Sequence, residues 1–188
     1  LAGCGGGDDD TPAPTTPDAG ALSKLGFTAV PKSLEDKVTL AAGYTATVVY
    51  ALGDPLTAST AAYKNDGTDT DYGNRAGDHH DGMEWFSLGS DGSASTTASD
   101  RGLIAMNHEA TTDETLSSFF LHADGGTKTL PRPATEVDKE TAIHGVSVVE
   151  MKKTGSTWAN AQNSTFNRRF TALSEVDIGG PAKGHALL

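Results

Sequence analysis

The sequence predicts an all-β chain: a partial β-propeller made of antiparallel hairpins, preceded by a disordered tether. Three observations predict it. Short apolar stretches alternate with a period of two, as where Tyr44, Ala46, Val48 and Tyr50 interleave with Thr45, Thr47 and Val49, the spacing of a half-buried strand. Clusters of Gly, Asp, Asn and Ser separate these stretches as turns. His and Gly recur just before strand starts, in HDGMEWFSL (80–88), HGVSVVEM (144–151) and KGHALL (183–188), as in a sheet repeated as blades. Chance likeness among short Gly/His segments is the competing account of that echo.

Residues 1–21 are Gly-, Asp-, Pro- and Thr-rich with no hydrophobic period, and read as tether. LSKLGFTAVPKS (22–33) is a short lead-in that Pro31 stops. LAAGYTATVVYALGDPL (40–56) is the first strand, ended by Gly53-Asp54-Pro55, and the polar stretch 58–78 is a long surface loop. A second strand opens near Met83, turns through GSDGSASTTASD and returns as RGLIAMNHE, so these two are expected to pair antiparallel. Residues 111–140 read mainly as loop, with a short helical turn over 116–122. IHGVSVVEMKK, a turn at Thr154-Gly155 and STWANA form another hairpin. NRRFTAL is a further strand, and GGPAKGHALL begins one more.

Composition bounds the function. Leu, Ile, Val and Phe number 15, 3, 9 and 6 in 188 residues, below the ~20% that marks a self-sufficient core. With regular strand patterns present, this argues for an incomplete fold. A net charge of -11 argues against a nucleic-acid surface or an anionic membrane surface, which need a basic face. An anionic small substrate is still accessible if bound cations reverse the local field. Cys4 is the one cysteine, so no disulfide forms within the chain. Its setting, LAGC ahead of a polar tether, matches the lipobox of bacterial lipoproteins. Cys4 is therefore the expected lipidation site, and the bacterial cell envelope (periplasm or outer surface) the expected location. No apolar run is long enough to span a bilayer.

Asn107, His108 and Glu109 stand in a row where an apolar strand runs out. Neighbours in a strand face opposite ways, so the three line one site only if the strand ends there. The oxygens of Asn107 and Glu109 suit a hard cation such as calcium, whereas His108 suits iron or zinc. His80 and Asp81, in the HHD triplet on a Gly-flanked turn, bind metal or orient its ligands, or else belong to an ordinary exposed turn. His144 and His185 each stand alone before a strand, the usual setting of a structural histidine. Arg168 and Arg169 are the one adjacent arginine pair, able to hold a phosphate as a fork or to sit in surface ion pairs.

LGFTAVP, GYTATVVYALGDPL, DHHDGMEWFSL, GLIAMNHE, HGVSVVEM, FNRRFTAL and GGPAKGHALL occur in one order across residues 23–188. In that order they resemble the amino-terminal portion of the PhoX-type alkaline phosphatases. The resemblance implies a β-propeller that holds calcium and iron and hydrolyses phosphomonoesters. It matches Asn107, His108 and Glu109 to the family's NHE segment, with Glu109 the leading metal ligand, and His80 and Asp81 to its HHDG segment. It leaves the catalytic residues unassigned. It also places an iron-binding cysteine and further carboxylates beyond the last matched segment, where Cys4 cannot substitute. The 188 residues alone are therefore expected to be inactive and prone to aggregate through open strand edges, and the complete protein to be a monomer. A non-enzymatic, surface-tethered propeller used for binding or scaffolding is the alternative, because one fold supports both roles.

Overall fold

The computed structural model describes residues 26–109 and 121–187. Cys4, the tether and most of the helical turn expected over 116–122 lie outside the described residues. The chain divides into two units, 1–47 and 48–188.

In the first unit, residues 26–47 carry neither helix nor strand. The rings of Phe27 and Tyr44 meet edge to face with centroids 5.8 Å apart, and Lys37 pairs with Glu35 at 2.5 Å. The strand expected around 44–50 is not formed: no described residue offers it a ladder, and Tyr44 and Val48 are exposed. Alternation supplies a preference for strand, but a strand exists only where a neighbour takes its N–H and C=O groups.

The second unit holds one antiparallel sheet. Its strands are β1 (His80–Ser87), β2 (Arg101–His108), β3 (Gly145–Thr154), β4 (Thr157–Asn160) and β5 (Arg168–Thr171). They run in the order β1-β2-β3-β4, with β5 also on β3. The two short strands share one edge of β3: Gly145 pairs with Thr171 and Val148 with Arg168, while Met151 pairs with Asn160 and Thr154 with Thr157. The sheet thus has four strand positions, the width of a propeller blade, with the fourth split in two. Both expected hairpins are present. The β3–β4 turn is tight, with Gly155 at φ 62 supplying the left-handed residue.

The echo between the His/Gly segments has a different meaning from repeated blades. β1 and β3 flank β2 in a single sheet, so His80 at the start of β1, Gly145 at the start of β3 and His108 at the end of β2 all lie at one end of it. The segment GGPAKGHALL forms a 3-10 turn (Gly180–Ala182) and no strand among the described residues. Gly180 takes φ 65 and Pro181 has no N–H, and both disfavour a ladder.

One sheet face is the core. Met106, Val149 and Met151 pack there against Tyr50, Leu56 and Ala76. Gly102 is required on that face because the Trp85 indole lies across it: a Cβ would fall 2.3 Å from the ring. Trp85 in turn meets Trp158 edge to face at 5.5 Å. The polar stretch 58–78 is less superficial than its composition suggests, with Asp69, Tyr72, Arg75 and Ala76 all buried. The Asp69 carboxylate accepts the N–H groups of Lys64 and Asn65 at 3.0 Å each, so the polarity serves the loop's own backbone.

The helix α1 (Ala134–Ile143) was not expected. Its sequence, ATEVDKETAI, has too few apolar residues to show a helical period. Polar contacts hold it instead. Arg132 Nη1 donates to Glu140 at 2.8 Å, His122 Nε2 lies 3.0 Å from the same carboxylate, and Thr127 N donates to Glu136 at 2.8 Å. Ile143 and Leu121, fully buried with Tyr72, form a second small core beneath it.

Candidate functional site

The end of the sheet where β1 and β3 begin and β2 finishes collects most of the candidate residues. A bulge shapes it. His80 pairs with His108 and Met83 with Met106, so β1 carries one more residue than β2 across that interval. The bulge bends β1 and re-aims Asp81 and Gly82. Beyond it Glu109 N donates to His79 O at 3.0 Å, so β1 and β2 stay joined past the formal end of the strand. His79 itself takes φ 47, and Asp78 caps its N–H at 2.8 Å.

The three adjacent side chains divide between the two faces, as strand alternation requires. His108 turns into the core and is 2% exposed. Its Nε2 lies 2.8 Å from Ser147 Oγ, and Tyr50 donates its hydroxyl to the same Oγ at 3.2 Å. The other ring nitrogen, Nδ1, is buried and has no hydrogen-bond partner among the described residues. Burial, with Arg169 and His80 adding to it, lowers the His108 pKa to about 3, so the ring is neutral. His80 packs in the same cluster, stacked on Tyr50 at 5.3 Å and edge-on to His108 at 4.9 Å. Its Nε2 lies 3.1 Å from Gly77 O, and burial lowers its pKa also. His80 and His108 thus pack with Tyr50 behind the strand ends.

Asn107 lies on the opposite face beside the bulge, with Nδ2 3.5 Å from Asp81 Oδ2. Its Oδ1 is buried and finds no hydrogen-bond partner among the described residues, and a Cβ on Gly82 would stand 3.0 Å from it. By alternation Glu109, exposed, shares that face. An orphaned carbonyl oxygen beside the Asp81 carboxylate, with Glu109 next in sequence after His108, offers the oxygen chemistry that hard cations accept. The donor set is partial: among the described residues no group of three or more His, Cys, Asp or Glu is placed to hold an ion.

The two arginines are separated in the same way. β5 pairs Arg168 with Val148 and Arg169 with Ser147, so they point to opposite faces and form no joint fork. Arg168 is exposed and curls onto the carbonyls of its own turn, Thr165 at 2.5 Å and Asn167 at 2.8 Å. Arg169 points inward and spends its guanidinium on backbone. Nε donates to Arg75 O at 3.0 Å, Nη1 to Phe170 O at 2.6 Å and Val146 O at 3.4 Å, and Nη2 to the carbonyls of Ala142, Ile143 and His144 at 2.9, 2.9 and 3.0 Å. That leaves Arg169 no N–H for a phosphate. Burial lowers its pKa to about 10, and it stays charged at neutral pH.

The lone histidines make local backbone contacts. His144 Nδ1 lies 2.8 Å from Glu140 O at the end of α1, and His185 Nδ1 accepts from Leu187 N at 3.2 Å. Sequence reading missed Tyr50 and Ser147. Ser147 is wholly buried, and its position in a strand that starts beside His144 was the available signal.

Comparison with known proteins bears on this site. Residues 25–188 match the family model for alkaline phosphatase PhoX. A solved structure of Pseudomonas fluorescens PhoX in complex with vanadate, a transition state analogue, is similar with a TM-score of 0.71 and 33% identity. The similarity covers 87% of this chain and 26% of that one, so the chain spans about a quarter of the solved protein. No curated protein matches.

Proposed function

The chain belongs to the alkaline phosphatase PhoX family, and from that premise we propose that it forms the N-terminal part of an exported, metal-dependent phosphomonoesterase. The observation that carries this reading is the similarity to a structure holding a transition-state analogue. Vanadate imitates the five-coordinate phosphorus of an in-line displacement.

Asn107, Asp81 and Glu109 would hold a calcium ion, with iron and the remaining ligands supplied outside the described residues. Bound cations stabilise negative charge on a transferring phosphoryl group and lower the pKa of an attacking water. The chain's net charge of -11 repels a phosphate ester. Among its arginines, Arg101 and Arg132 pair with carboxylates, and Arg169 gives its N–H groups to backbone carbonyls. Bound cations would supply positive potential that the chain lacks in net. His80, His108, Tyr50 and Ser147 form a rigid, uncharged backing for the strand ends that carry the oxygen donors. With only part of a ligand set, the 188 residues alone would be inactive, since uncompensated carboxylates bind ions poorly. Lipidation at Cys4 and tethering to the cell envelope belong to the same proposal and rest on the LAGC motif.

The test is hydrolysis of an aryl phosphate by the complete protein before and after exhaustive removal of calcium and iron. Loss on removal and recovery on re-addition are expected, and undiminished activity in the ion-free protein would refute the mechanism. Glu109→Gln should lower both ion content and kcat/KM by at least about tenfold, the smallest effect usual for residues that merely support a metal ligand.

A further inference from the structure

Arg169 is unusual for a half-buried arginine: six backbone carbonyls receive its N–H groups and no carboxylate does. The carbonyls belong to separate pieces of chain. Those of Ala142 and Ile143 are in the last turn of α1, where carbonyls have no partner within the helix. That of His144 is at the junction into β3, and those of Val146 and Phe170 are on β3 and β5. The Arg75 carbonyl comes from the turn that follows Tyr72–Asn74. One planar cation therefore sets where α1, β3, β5 and that turn meet. An ammonium has three N–H bonds and no fork, so lysine cannot reproduce this.

That meeting point lies directly behind the oxygen-bearing strand ends. Gly145, next to His144, pairs with His108 on one side and Thr171 on the other. It takes φ 121, and a Cβ there would fall 2.0 Å from Phe170 O, so the junction has little freedom. Ser147, paired with Arg169 across β3 and β5, contacts His108 Nε2 at 2.8 Å. His108 is the residue between Asn107 and Glu109. A shift at the carbonyl cage thus reaches the donors through one paired residue and one hydrogen bond.

We propose that Arg169, acting with Ser147, is a positioning residue for the ion-binding end of the sheet. Its carbonyl cage and the Ser147–His108 contact hold Asn107 and Glu109 in the geometry a hard cation requires. This rests on the phosphatase reading, yet it assigns Arg169 a role apart from the substrate. Outer residues of this kind typically change metal affinity by ~10–100-fold when altered.

The experiment uses the complete protein and calcium itself as the probe. Calcium binding to the iron-loaded, calcium-depleted protein is titrated by calorimetry, and aryl phosphate kinetics are followed across the same calcium range. Arg169→Lys should raise the calcium midpoint about tenfold or more, lower the rate at limiting calcium, and recover most of the wild-type kcat at saturating calcium with KM little changed. A purely structural arginine would lower the melting temperature and leave the midpoint in place; that result overturns the proposal. Should Arg169→Lys fail to fold, Ser147→Ala, which removes a single hydroxyl, is read by the same titration. An unmoved midpoint in that variant overturns the proposal equally. Wild-type activity independent of calcium and iron would sink the phosphatase reading, whereas an ion-dependent wild type with an unmoved variant midpoint sinks the Arg169 role alone.

Discussion

Glu150 should be the most pH-sensitive structural element of the sheet. It sits in the middle of β3 at 2% exposure. Its carboxylate receives Arg101 Nε at 2.6 Å, Lys152 Nζ at 3.1 Å and the Ser164 hydroxyl. Burial alone would push its pKa up, but the hydrogen bonds from Arg101, Ser164 and Lys152 together outweigh burial and bring it to about 2 from an ordinary 4.5. A fall of that size corresponds to ~3 kcal/mol of stability. The folded value lies below the unfolded one, so this stabilisation is fully present above about pH 4.5 and is lost as the pH drops toward 2. Glu150→Gln keeps the shape and removes the charge, leaving Arg101 without its anion; deleting one partner of a buried pair costs ~3–5 kcal/mol. The two estimates agree near 3. Native-state hydrogen exchange of the β2 and β3 amides in the intact protein reads the effect where it acts. The variant should exchange roughly 10²-fold faster at neutral pH, with the gap shrinking to less than half in free energy near pH 3. A gap that stays constant over that range, or one below ~1 kcal/mol at neutral pH, would show that the Glu150 ion pairs do not stabilise the sheet.

Two substitutions test the core directly. Met151→Ala empties a site that is 1% exposed and should cost ~2–5 kcal/mol, read as a lowered denaturation midpoint. Gly102→Ala drives a methyl into the Trp85 ring and should cost ~1–3 kcal/mol; adding Trp85→Ala should return part of that loss in a double-mutant cycle, and strict additivity would disprove the contact.

Much of the sheet was legible because hairpins are local. The β3–β4 pair is joined by a tight turn and the β1–β2 pair by a longer turn-rich stretch, 88–100, so alternation and punctuation were enough to predict them. The alternating stretch around 44–50 misled for the complementary reason: its periodicity is as good, but a ladder partner is a property of the fold and not of the stretch. α1 was invisible because its attachment is polar, through Arg132, His122 and Thr127, and leaves no apolar period to read.

For the site, the residues themselves determined which chemistry is available: oxygen donors beside an apolar strand exit, in a chain too acidic to attract a phosphate unaided. Only the tertiary structure decided how the work is divided. The bulge and the strand pleat send Asn107 to one face and His108 to the other, and the same two-residue period turns Arg169 inward while leaving Arg168 exposed. Adjacency in sequence made these pairs look like joint sites. Alternation across the sheet separates them: His108 turns into the core, where Nε2 meets Ser147, and the half-buried Arg169 finds six carbonyls.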